Sequence, residues 1–224
     1  IGLWLRRGIA ETPRFRAEQA GRSSGLADLG SPVGLMARAF GFTVLWTVSY
    51  YVMLTYLPTF TQRYAGLSAT ASLWSNTAGL IVLVLAIPLM GALSDRVGRK
   101  PLLLACCAAF VVLSYPGFRL MLSGLSGWGV ALLQIGFDLV IAAFASSGPA
   151  ALVELFPTRS RTTLMSIGYS LAVAIFGGFA PFIATFLIGS TGTPLAPTFY
   201  LIAAGIVSFL TIAPFRETAF EPLR

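Results

Sequence analysis

The stretch Gly91-Ala92-Leu93-Ser94-Asp95-Arg96-Val97-Gly98-Arg99-Lys100-Pro101-Leu102 is a charged hinge between two long apolar runs. Glycine lets a backbone turn or pass closely, Asp95 is expected to cap a helix start, and Arg96, Arg99 and Lys100 cluster as positive charge does on the cytoplasmic side of a membrane protein. Outward from the hinge, the 224 residues are 56% hydrophobic and 10% charged, with a mean hydropathy of +0.82. A soluble domain carries roughly 25% charged residues. A chain this apolar cannot hide its surface in one globular core, so it needs lipid.

Six apolar runs follow the polar beginning, at about 37–60, 70–93, 101–122, 127–151, 163–188 and 196–214. Each is close to the ~20 residues that cross a ~30 Å hydrocarbon layer. The fold class expected is therefore an all-α membrane protein of six transmembrane helices. Ile1 to Leu5, followed by Arg6 and Arg7, reads as the end of a transmembrane helix cut off upstream, which makes the chain a fragment. Residues 6–36 read as a cytoplasmic linker, 37–214 as the six-helix bundle and 215–224 as a cytoplasmic tail.

Charge alternates along the connections. Those around Arg63, Gly124 and Gly192 hold at most Arg63 and the nearby Arg119. The opposite side holds the linker arginines, the hinge, Arg159, Arg161, Arg216 and Arg224. Both ends of the bundle are thus expected in the cytoplasm. The net charge of +7 is topology bias of this kind and not a phosphate-binding face, so no nucleic-acid partner is expected. The absence of histidine excludes His-based acid–base chemistry and His metal sites. Cys106 and Cys107, adjacent within an apolar run, read as packing residues. With no nucleophile, base and orienting group converging, an enzyme is not expected, nor any cofactor or metal.

Asp138 is the sharpest single site. Counted from Gly127 it lies about 11 residues into its helix, some 16 Å deep at ~1.5 Å per residue. A charged carboxylate there costs roughly 2.5–3.5 kcal/mol on insertion scales. Three roles are open: a carboxyl that takes up and releases the coupling proton, one half of an ion pair with a basic residue elsewhere, or a hydrogen-bonding group that carries no proton. Trp46 and Tyr50 share a helix face with Thr43 and Thr47 beside them, a candidate wall of a substrate cavity, or simply aromatic packing. Asn76 and Gln134 are weaker candidates, since buried amides often only bond another helix. Arg119 can anchor by snorkelling or meet an anionic substrate. Gly177-Gly178 with Pro181 permits bending of the fifth helix as readily as close packing.

The hinge pattern of Gly91, Leu93, Asp95, Arg96, Gly98, Arg99 and Lys100 resembles the signature loop of the major facilitator superfamily. More narrowly, the chain resembles the metabolite:proton symporters, which include transporters of citrate, 2-oxoglutarate, shikimate, and proline or betaine. Four further stretches carry that likeness. They are Glu11-Thr12-Pro13 with Phe15, Thr55-Tyr56-Leu57-Pro58-Thr59, Glu154-Leu155-Phe156-Pro157-Thr158-Arg159 with Arg161, and Gly168-Tyr169-Ser170 followed by Phe176-Gly177-Gly178 and Pro181. The sequence echoes itself too: basic residue, Glu-Thr, then Phe follows both the first apolar piece (Arg7 to Phe15) and the last (Arg216 to Phe220).

The resemblance implies helices seven to twelve, the C-terminal half, of a proton-coupled symporter in a bacterial inner membrane. It would carry a small organic acid or zwitterion by alternating access, with a slight lean to citrate or another tricarboxylate from Ser170. The main cationic clamp would then lie in a missing N-terminal six-helix half. The hinge, with Glu154 and Arg161, would gate the cytoplasmic side. A sugar- or drug-type transporter of the same superfamily, and a non-transporting membrane scaffold or assembly partner, are the alternatives.

Overall fold

The computed structural model describes residues 31–154 and 161–217, and every regular element among them is helical. The helix end expected at 1–5 lies outside the described residues, as do most of the linker and the last part of the tail.

Helix α1 (Pro32–Tyr64) starts inside the stretch expected to be linker. Ser31 Oγ accepts from Gly34 N at 3.1 Å and Pro32 opens the first turn. A serine cap followed by proline is a strong start signal, and here it outweighs the polar composition that suggested a start near 37. Helix α2 (Ala69–Val97) is capped by Ser68, whose Oγ accepts from Ala71 N. Then come α3 (Arg99–Met121), α4 (Gly127–Glu154), α5 (Arg161–Ala172), α6 (Ala180–Thr191) and α7 (Ala196–Ile212).

Each of the six apolar runs becomes helical. Helices α1 to α4, of 33, 29, 23 and 28 residues, are long and apolar enough to cross a membrane. The fifth run is broken: α5 continues into a π-helical turn, Val173–Gly178, and α6 departs at 44°. Helix α7 is an apolar helix of 17 residues, at the short limit for a crossing helix. Helix α1 also has a π-helical stretch, Tyr51–Tyr56.

The hinge differs in one respect from its sequence reading. Asp95 lies exposed in the last turn of α2 and caps nothing at the start of α3. Gly98 makes the break instead, at φ 105°, a conformation that L side chains rarely adopt.

Helix α2 packs along α4, α3 against α7 and α4, and α1 against α5 and α7. Of the apolar part of α1, 72% is buried, against 22% for α2, so α1 is the inner helix and α2 has a broad outer face. Lipid tails are as apolar as leucine, so close packing and interhelical hydrogen bonds must hold such a bundle together. One such bond enters a helix ladder: Ser208 Oγ accepts from Leu45 N at 2.9 Å and donates to Gly41 O at 2.7 Å. The hydroxyl thereby sits between two groups of α1 that would otherwise bond each other.

Candidate functional site

The expected site residues, Arg119 apart, fall into three separate groups. At the hinge, Arg99 forms an ion pair with Glu154 at the end of α4, the two side chains being 18% and 11% exposed. Glu217, just beyond α7, accepts from the backbone N–H groups of Arg99 and Lys100, each at 3.0 Å. It supplies the cap that Gly98, lacking a side chain, cannot give to α3, and it places a negative charge at a helix N-terminus. The start of α3, the end of α4 and the tail are thus tied into one cluster. Arg96 is exposed, Lys100 half-buried, and Gly91 lies 4.0 Å from the Ser146 side chain, measured from an added Cβ. The Arg161 side chain is outside what is described. Sequence reasoning assigned Glu217 no role, although the Glu-Thr echo after the last helix singled it out.

The second group is a polar seam between α2 and α4. Gln134, 1% exposed, accepts from Ser75 Oγ at 3.0 Å and donates from Nε2 to Asn76 Oδ1 at 2.7 Å. Both amides therefore serve the helix contact. Asp138 follows Gln134 by one turn on the same face of α4 and is 0% exposed. It looks directly onto Gly79 of α2, where any side chain would overlap its Oδ2. Neither carboxylate oxygen has a hydrogen-bond donor among the described residues. A charged carboxylate so placed would cost several kcal/mol. A carboxyl in such a place is stable only when it is neutral or when water or a charge outside this seam answers it. Every described Lys and Arg stands near a helix end or in a connection.

The third group lies on α1 and α5. Trp46 is close to the midpoint of α1 and meets Tyr169 of α5 with ring centroids 5.8 Å apart at 70°. The Phe144 ring of α4 lies with its centroid 6.1 Å from that of Trp46 and 5.5 Å from that of Phe42. Tyr50, one turn beyond Trp46, is exposed. Thr43 donates to Ala39 O at 2.8 Å, whereas the buried Thr47 hydroxyl, over Gly177, has no partner among the described residues. Arg119 is exposed in the last turn of α3, at the end of that helix away from the hinge. It joins none of the three groups. Tyr169 was legible only as part of a motif, because its position beside Trp46 depends on how α5 packs against α1.

Residues 39–222 match the family model described as Major Facilitator Superfamily. The chain is 30% identical, over 100% of its length and 47% of the relative's, to a proline/betaine transporter of Escherichia coli (strain K12). It is 29% identical to an ectoine/proline transporter of Corynebacterium glutamicum. It is 30% identical to a glycine betaine/proline/ectoine/pipecolic acid transporter of Dickeya dadantii (strain 3937). In both, 100% of this chain and 47% of the relative are covered, so the chain spans about half the length of these relatives. All are named as transporters, in keeping with the reading that this is no enzyme. With the family model covering most of an all-helical, membrane-spanning chain, the conclusion is that the chain belongs to the major facilitator superfamily.

Proposed function

We propose that this chain forms one half, the second in the order of its motifs, of a proton-coupled symporter for small zwitterionic solutes, working by alternating access in a bacterial inner membrane. The substrate reading is carried by the relatives, which are named for proline, betaine and ectoine. Ser170, the basis of the lean toward citrate, is a single residue and carries less weight. An inventory without a mid-span Lys or Arg also suits a zwitterion better than a tricarboxylate among the described residues.

Asp138 is the coupling carboxyl in this reading. It is buried, without a hydrogen-bond donor among the described residues, and pressed against Gly79, so gain or loss of its charge changes the stability of the α2–α4 seam. The hinge end faces the cytoplasm, as do both termini of the bundle, because the basic connections gather there. The Arg99–Glu154 pair and the Glu217 cap hold that end together in one conformation and are broken in the other. Trp46, Thr47 and Tyr50 border the cavity shared with the other half, as repeat-built transporters bind at the repeat interface.

The test is uptake of labelled glycine betaine or proline by vesicles containing the complete gene product, with and without an inward proton gradient. Asp138→Asn is expected to abolish gradient-driven accumulation while solute exchange continues. Accumulation by this variant that still follows the gradient would remove Asp138 from the coupling step. Sugar uptake indifferent to acidification would replace the substrate reading altogether.

A further inference from the structure

We propose that the corner between Trp46 and Tyr169, flanked by Tyr50, is the subsite for the ammonium end of the zwitterion, held by the ring faces and not by a carboxylate. The inference rests on the transport reading above and names the chemistry of one end of its site.

A quaternary ammonium cannot donate a hydrogen bond. It is recognised by desolvation and by the negative faces of aromatic rings within about 6 Å of their centroids. Two rings whose centroids are 5.8 Å apart and whose planes stand 70° apart form adjacent walls of a corner, so one cation can lie within reach of both. The rings are not sealed inside the bundle: Tyr169 is 37% and Tyr50 38% exposed, while Trp46 is half-buried. One wall is also braced by the core, because Phe144, itself 2% exposed, packs against the Trp46 ring with centroids 6.1 Å apart. Preorganised walls of this kind do not have to be ordered when the solute arrives.

The surroundings separate this corner from a lipid-facing aromatic patch. On α5, Tyr169 shares its face with Met165, Ser166, Ala172 and Val173, of which only Ser166 is exposed, and Ile167 and Leu171 lie farther round the helix. Beside Trp46 on α1, the Thr47 hydroxyl is buried without a partner among the described residues. Lipid-facing stretches of this bundle look different, as with Ile81, Val84, Leu85 and Leu89 on α2. Depth agrees as well, since Trp46 stands near the midpoint of α1, away from the interfacial belt where Trp and Tyr serve as anchors.

The experiment uses the complete gene product in vesicles. Glycine betaine uptake is measured for the wild type and for Trp46→Leu, Trp46→Phe, Tyr169→Leu and Tyr169→Phe, each normalised to the amount of protein in the membrane. Loss of a ring is expected to raise the half-saturating concentration roughly 5- to 30-fold, while the Phe variants stay within about threefold of wild type. The wild type is also challenged with 3,3-dimethylbutanoate, the uncharged-carbon isostere of glycine betaine, which is expected to compete at least about tenfold more weakly. That arm needs no variant to fold. Equal competition by the isostere, or Leu variants with unchanged half-saturation, would overturn the corner and leave the transport reading standing. A wild type that neither binds nor takes up any zwitterion would overturn the transport reading, and the corner with it.

Discussion

Glu217→Ala is the perturbation that reports most directly on the hinge. Its carboxylate receives the N–H groups of Arg99 and Lys100 at 3.0 Å and so caps a helix whose N-cap residue, Gly98, has no side chain. Removal of a side-chain cap costs about 0.5–2 kcal/mol, and loss of a negative charge at a helix N-terminus about 0.3–1 kcal/mol. The carboxylate is only half-buried and water can replace part of what is lost, so the expected destabilisation is about 1–2 kcal/mol, or roughly 5- to 30-fold in the equilibrium. Gly98→Ala approaches the same contact from the other side. At φ 105° the substitution is strained, and its Cβ would stand 2.7 Å from Glu217 Oε2 and 3.0 Å from Cδ. It should therefore cost about 1–3 kcal/mol and displace the cap as well. The two variants damage one contact, so the double variant should fall short of the sum by at least about 0.5 kcal/mol. Reversible unfolding of the complete protein in mixed micelles measures all three. Additivity within about 0.3 kcal/mol would refute the argument that Gly98 is held open for Glu217.

Three other outcomes can be checked with the same unfolding assay. Arg99→Glu should destabilise the protein by about 1–3 kcal/mol, between the ranges for exposed and buried pairs, and Glu154→Arg in the same chain should restore part of it; no restoration would mean the pair is incidental. Gln134→Leu strands the partners on α2, Ser75 and Asn76, and should cost about 1–2 kcal/mol; a neutral result would empty the α2–α4 seam of its polar role. Ser208→Ala should cost less than about 1 kcal/mol, because Leu45 N can return to Gly41 O within α1 once the hydroxyl is gone; a larger loss would show that the ladder cannot close.

The helices were legible in the sequence because lipid imposes a one-dimensional rule: a run of about 20 apolar residues must satisfy its own backbone bonds, and helix does so without help from elsewhere. Asp138 was legible by the same rule, as a carboxyl where carboxyls are costly. What the rule leaves out is direction around the helix. It fixes the depth of Asp138 but not that the carboxyl faces Gly79, nor that Gln134 is engaged with Ser75 and Asn76. The hinge shows the limit more sharply. Asp95 was the obvious local cap, yet the cap comes from Glu217, 118 residues from Arg99, and local spacing cannot encode such a partner. The break in the fifth helix was partly legible, since the π-helical stretch Val173–Gly178 ends on Gly177-Gly178 just before Pro181; the matching stretch Tyr51–Tyr56 was not, because it lies where α1 meets that broken helix.

In the proposed transporter, the seam and the hinge are joined by the helices they share. Helix α4 carries Asp138 near its middle and Glu154 at its end; α2 carries Gly79 near its middle and runs directly into Gly98. These two helices pack along each other, so a change in their separation at the Asp138–Gly79 contact cannot stay local: a rigid helix passes a tilt on to its ends. The end of α4 is where Arg99 and Glu154 pair, and the end of α2 is where Glu217 caps the next helix. A carboxylate that gains charge at the seam needs water or a partner and favours an opened contact; a neutral one tolerates the closed contact. On the proposed reading, protonation and the hinge are two biases on one packing equilibrium, with no wire of residues between them, and the coupling between them is bounded by how differently the two arrangements accommodate the charge.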